Sequence, residues 1–174
     1  MNKTLKKPAK AGVLHHTRID LSAKSRTALV EILNESLADT FDLYSQVKQA
    51  HWNVKGHQFY QLHLLFDEIA GEILDFVDQL AERVTSLGGT AMGTARMSAA
   101  KSSLPEYPVD VLEGLDHIAA LSERFATYCQ IVRTNIEKTD ELGDADTADL
   151  YTEISRLVDK RLWFLEAHLQ ADEA

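Results

Sequence analysis

The strongest constraint on this chain is a recurrence of apolar residues at spacings of three and four, sustained through four long segments. The first stripe is Leu29, Ile32, Leu33, Leu37, Phe41, Tyr44 and Val47. The second is Leu62, Phe66, Ile69, Ile73, Phe76, Val77, Leu80, Val84 and Leu87. Leu112, Leu115, Ile118, Leu121, Phe125, Tyr128 and Ile131 form the third. Leu150, Ile154, Leu157, Val158, Leu162, Leu165 and Leu169 form the fourth. Each stripe lies along one side of an α-helix and must be buried against another element. Only 3 Pro and 8 Gly interrupt 174 residues, so the helices are long.

The breaks set the expected boundaries. Asp20 or Ser22 can cap a first helix, which runs to about Val54 and stops before Gly56. A second helix is expected from near Phe59 to the Gly88-Gly89 pair. Residues 88–108 form a long connection closed by Pro105 and Pro108, with a short helix around Thr94–Ala100. A third helix is expected from about Val109 to Leu142, and Gly143 breaks it. Asp146 can cap the fourth. The fold class is all-α, a four-helix bundle whose long second-to-third link matches the crossover of ferritin-like bundles. Residues 20–170 are expected to form the bundle, after a flexible basic arm (1–19) and before a short tail (171–174).

Charge is distributed unevenly. Lys3, Lys6, Lys7 and Lys10 stand in the first ten residues with no acid, so the net −9 of the chain leaves −13 on the rest. An acidic body argues against a nucleic-acid surface on the bundle itself. No apolar run is long enough to cross a membrane, and the N-terminus lacks the apolar core of a signal peptide. Cys129 is the single Cys and suits a reducing compartment. A cytoplasmic protein is expected, associated with the nucleoid if the arm binds DNA.

The segment HLLFDEIAGEILDFVDQLAE, His63 to Glu82, holds six acids, one His and no Lys or Arg. With Phe66 at zero and 100° per residue, His63, Asp67, Asp78 and Glu82 fall at roughly 60°, 100°, 120° and 160°. They share a face beside the core stripe with Ala70, Gly71, Leu74 and Ala81. A solvated face interleaves cations at i+4. Here no Lys or Arg lies between Lys55 and Arg83. One helix cannot close these residues on one ion, because His63 and Glu82 are about 28 Å apart. His63 and Glu82 are, however, equidistant from position 72.5, and so are Asp67 and Asp78. Two antiparallel copies crossing there would set His63 opposite the second copy's Glu82, with Gly71 beside the axis. Imidazole plus carboxylate suits iron, manganese or zinc. His51, in HWNVKG, is twelve residues before His63 and can join it; it also suits a helix C-terminus on its own. The chain contains no Glu-x-x-His, the element of an internal di-iron centre.

HWNVKGHQFYQLHLLFDEIAGEILDFVDQLAERVTSLGG resembles the signature region of the Dps proteins, also called mini-ferritins. The similarity continues through SLPEYPVD and DADTADLYTEISRLVDKRLWFLEAHL. The resemblance implies a hollow dodecamer of ferritin-like bundles, a homo-oligomer built from two-fold dimers. It implies oxidation of Fe(II), preferentially by hydrogen peroxide, and storage of Fe(III) mineral inside. Zinc is expected as a competing ion. The implied catalytic, metal-binding residues are His51, His63 and Asp67 of one subunit with Asp78 and Glu82 of the second.

Other residues gain candidate roles from the same likeness. Trp52 adjoins a ligand and can be an electron donor, a shield or an interface aromatic. Asp144 and Asp149, in the acidic cluster Asp140, Glu141, Asp144, Asp146 and Asp149, can line a cation pore or simply cap and solvate a helix start. Glu68, Glu72 and Asp75 can offer oxygens for mineral nucleation. The lysines of the arm can each neutralise about one phosphate of DNA, which the acidic body opposes. An alternative function is a nucleoid protein that condenses DNA through these arms.

Overall fold

The computed structural model describes residues 13–170. The four arm lysines lie outside them. Five helices follow in order: α1 (Ala23–Asn53), α2 (Phe59–Ser86), α3 (Ala95–Lys101), α4 (Gly114–Glu141) and α5 (Ala145–Leu169). The expected all-α, ferritin-like four-helix bundle is present, with α3 as the extra helix in the long connection. α1 packs on α2 and α4 on α5, and the short turns make each pair an antiparallel hairpin. The long link crosses from the end of α2 to the start of α4, carrying α3 against α1.

The apolar stripes meet in one core. Leu33, Phe66, Phe125 and Leu165 are fully buried, one from each long helix. Halfway along, the core turns polar. The Thr40 and Tyr128 hydroxyls lie 2.6 Å apart, Tyr151 Oη donates to Ser36 Oγ (2.8 Å) and Asn135 Nδ2 donates to the same oxygen (3.1 Å). These groups satisfy one another, as buried polar groups must. The buried carboxylate Asp39 is committed to Ser103, accepting from its backbone N–H at 2.7 Å.

Most boundaries fall as the sequence predicts. Ser22 caps α1, accepting from the Ser25 N–H at 3.0 Å. Thr94 caps α3. Two boundaries differ. α4 begins at Gly114, about five residues later than expected. Residues 109–113 instead run beside the end of α1, where Lys55 N–H donates to the Leu112 carbonyl at 3.2 Å. At Gly114 a Cβ would lie 2.5 Å from Leu62 Cδ1, so the helix can start only where its backbone presses on α2. Leu112 and Leu115 therefore fall off the core stripe and are exposed.

The second difference is the cap of α5. Asp144, not Asp146, is its N-cap and is buried; it accepts from the Thr147 N–H and from Arg83 Nη2 (2.6 Å). Asp146 sits in the first turn, exposed, 3.8 Å from Arg83 Nη1. The sequence offers two aspartates two residues apart, and the cation supplied by α2 selects between them. The arm also differs from its expected limit of 19. His15 N–H donates to the Gly88 carbonyl at 2.7 Å, and Arg26 bonds the Leu87 carbonyl, so the chain is laid on the end of α2 from His15 onward.

Burial alone would raise the Asp144 pKa, but the bonds from Arg83 and Thr147 more than offset it and hold the group below the usual carboxylate range. A folded pKa below the unfolded value adds stability that is present above about pH 4 and lost as pH falls through the folded pKa. Acid titration of the unfolding free energy should therefore fall less steeply below pH 4 for Asp144→Asn than for the unmodified protein. At pH 7, Asp144→Ala should cost about 2–4 kcal/mol, beyond a cap alone, because Arg83 loses its partner. Denaturant unfolding measures both; a loss under about 1 kcal/mol would show the ion pair to be incidental.

Candidate metal centre

The α1–α2 hairpin brings His51 and His63 together. His51 ends α1 and His63 opens the second turn of α2. Each Nδ1–H donates to the other residue's backbone carbonyl, both at 2.8 Å. The rings stack with centroids 3.8 Å apart and 18° between planes. A carbonyl oxygen only accepts, so each ring carries its proton on Nδ1 and leaves the Nε2 lone pair free. This is how a metal-binding imidazole is oriented before any metal arrives.

Asp67 lies one turn beyond His63. Its Oδ1 is 3.8 Å from His51 Nε2. Two ligands held about 2.1 Å from one ion stand about 3.8 Å apart when they subtend about 130°. The donor set of imidazole nitrogen and carboxylate oxygen thus fits a borderline divalent ion such as Fe(II) or Zn(II). Lys48 Nζ donates to the same oxygen at 2.6 Å. The hydrogen bond from Lys48 lowers the Asp67 pKa and keeps the group a carboxylate. Lys48 also lies 5.8 Å from the Trp52 ring centroid, and Trp52 itself is exposed. The sequence signal for Lys48 was its i+3 spacing to His51, which places both on one face of α1.

Of the five expected ligands, His51 and His63 are bonded together, Asp67 stands beside His51, and two lie apart. Asp78 and Glu82 lie further along α2, exposed and in no ion pair among the described residues. Among these residues no group of three or more His, Cys, Asp or Glu side chains closes round a common point. The face between the two sets of expected ligands is unfilled: a Cβ at Gly71 would meet nothing within 4 Å, and Leu64 and Leu74 are exposed. The mirror position of Gly71 about 72.5 is Leu74, and that of Leu64 is Ala81. A two-fold crossing at 72.5 would set large residues against small ones and His63 against Glu82.

The remaining candidates lie elsewhere. Glu68 and Glu72, expected to offer free oxygens, are tied to the buried Arg161 of α5 through its Nη2 and Nε at 2.6 Å. Arg161 was hidden from a reading of α2 alone because it arrives from another helix. Asp144, expected at a pore, is the buried cap described above. Asp149 is exposed on the second turn of α5.

Comparison with known proteins agrees with this architecture. A ferritin-like domain model matches residues 30–174. A DNA protection during starvation protein of Agrobacterium fabrum is 44% identical over 156 residues, covering 90% of this chain and 96% of its own. The structure of DpsC from Streptomyces coelicolor superposes with a TM-score of 0.89 at 34% identity, covering 94% of this chain and 96% of that one. A Dps protein from Vibrio cholerae O1, described as a member of the ferritin-like diiron-carboxylate superfamily, gives 0.83 at 27% identity over 91% and 99%. The chain belongs to the ferritin-like proteins and, within them, to the Dps family of DNA-protection proteins.

Because Lys48 and an incoming cation compete for Asp67 Oδ1, removing the ammonium should tighten metal binding. Lys48→Met should bind Zn(II) about two- to fivefold more tightly by calorimetry, the scale of one exposed ion pair. Weaker binding would instead make Lys48 a support for the carboxylate.

Proposed function

We propose that the protein is a ferroxidase and iron-storage protein that assembles into a hollow dodecamer and protects DNA from oxidative damage. In this reading His51, His63 and Asp67 of one subunit meet Asp78 and Glu82 of a two-fold partner. The observation that carries it is the reciprocal His51–His63 bond pair, with Asp67 Oδ1 3.8 Å from His51 Nε2 and no closed group of three ligands among the described residues. Asp78 and Glu82, on the complementary half of α2, are exposed, pair with no cation among the described residues and are related by the same mirror.

Iron is the substrate. Two Fe(II) each give one electron, and hydrogen peroxide takes both with two protons and leaves as two waters. Hydroxyl radical is not formed when both electrons arrive together, which is why peroxide is the preferred oxidant here. Nδ1-anchored imidazoles and carboxylates hold the ion through its change of charge. Lys48 moves aside as the cation takes Asp67. Zinc, with the same ligand preferences, competes. Exposed Asp149 and Asp146 draw cations by electrostatic focusing, while Asp144 holds the helix start. The protein acts in the cytoplasm in this reading. Any DNA contact falls to the lysines outside the described residues and is salt-sensitive.

A co-assembly experiment tests the shared site. Asp78→Ala and His63→Ala subunits should each be inactive in peroxide-driven Fe(II) oxidation while assembling to the size of the unmodified protein. Refolded together, they restore one intact site in every mixed dimer, so about a quarter of the activity should return. A site contained in one chain would return none. Size by light scattering completes the test: a monomer or plain dimer would rule out mineral storage.

A further inference from the structure

Tyr107 and His117 form a buried pair that the iron ligands do not use. Tyr107 ends the long connection and His117 lies in the first turn of α4. The Tyr107 Oη and His117 Nδ1 are 2.6 Å apart, in a nearly parallel stack of the two rings. His117 is completely buried and Tyr107 nearly so. Burial pushes the phenol pKa above its usual range and the imidazole pKa below its own. At neutral pH the phenol therefore donates and Nδ1 accepts, which leaves the imidazole proton on Nε2. That Nε2–H is buried beside the Asn53 backbone with no well-aligned hydrogen bond. Asn53 is two residues past His51 on α1. The pair therefore lies beside the last turn of α1, the turn that carries the candidate ligand His51.

A phenol that loses an electron becomes a strong acid, and its proton goes to whatever base is already in reach. Arg124 makes this transfer obligatory. Its guanidinium lies 5.6 Å from the Tyr107 ring centroid and opposes positive charge on that ring. An oxidised ring is stable there only as the neutral phenoxyl, with the proton on His117.

We propose that Tyr107 and His117 are a proton-coupled redox pair that supplies the second electron when peroxide meets a centre holding a single Fe(II). The inference rests on the ferroxidase reading above. Fe(II) gives one electron and becomes Fe(III). Tyr107 gives the other, and its O–H proton passes to His117 Nδ1. Peroxide takes both electrons and two protons from solvent and leaves as two waters. The next Fe(II) to arrive returns one electron to the phenoxyl, and His117 returns the proton. The pair converts a one-electron reaction, which would release hydroxyl radical, into a two-electron one.

Rapid-freeze electron paramagnetic resonance on the assembled protein tests this, with one Fe(II) per site and excess peroxide. The expected signal is a tyrosyl radical, narrowed by ring-deuterated tyrosine and coupled to nitrogen-15 when histidine is labelled. Tyr107 is the one Tyr among the described residues whose hydroxyl is bonded to a His, so the labelled, unmutated protein identifies the site without depending on a variant's folding. Tyr107→Phe and His117→Gln should each lose the signal. A radical indifferent to tyrosine labelling, or one that persists in Tyr107→Phe, overturns the pair. Iron oxidation by the unmutated protein in the same samples, with no tyrosyl radical, sinks this inference alone. Absence of iron oxidation sinks the ferroxidase reading and this one with it.

Discussion

The exchange of two hydrogen bonds between His51 and His63 is the constraint on which the candidate metal centre depends. Each ring is oriented by the other residue's backbone, so neither imidazole can turn without breaking a bond that the hairpin itself provides. The α1–α2 turn must therefore hold the end of one helix against the start of the next. Gly56, at φ 96°, makes that reversal possible, and Val54 N–H closes the last turn of α1 on the Ala50 carbonyl. The ligands are placed by backbone, which is stiffer than any side-chain scaffold.

The long connection serves the same end. Arg124 of α4 donates to Gln46 Oε1 of α1 and to the Glu106 carbonyl, and Gln46 donates to the Pro105 carbonyl. Asp42 and Asp39 accept from Ser102 and Ser103. Residues 102–113 are thus strapped along α1, and α4 is indexed to the helix that carries His51. A crossover link can otherwise be long and loose. Here Ser102, Ser103 and the Pro105 and Glu106 carbonyls are bonded to α1 and α4, and they bring Tyr107 and His117 beside the final turn of α1.

Negative charge on α2 is sorted by neighbours that only the fold supplies. Asp67 has Lys48 from α1, and Glu68 and Glu72 have Arg161 from α5. Asp78 and Glu82 have nothing within the described chain. The helix is therefore not uniformly uncompensated, as its own sequence suggests. Asp75, Asp78 and Glu82 pair with no cation among the described residues, and the last two lie on the half-face that mirrors the imidazoles. Exposed Leu74 beside an open Gly71, between the imidazoles and these free carboxylates, is a sharper pointer to a second copy than the raw count of acids.

The sequence by itself determined the helices, their stripes and the candidate ligand positions, because a period of 3.6 and a fixed rise convert spacing into geometry without further information. It narrowed the first cap to Asp20 or Ser22 and placed the short helix around Thr94–Ala100; Ser22 and Thr94 proved to be the caps. It could not choose between Asp144 and Asp146, since that choice belongs to Arg83, sixty-one residues away. It could not see that Glu68 and Glu72 are held by Arg161, that Lys48 sits on Asp67, or that α4 waits for Gly114 to press on Leu62. Nor does any local pattern join Tyr107 to His117, which meet only because a loop folds back on a helix. Local periodicity is written in neighbouring residues, whereas ion pairs, close backbone approaches and buried hydrogen bonds join distant ones, and only packing in three dimensions decides which partners meet.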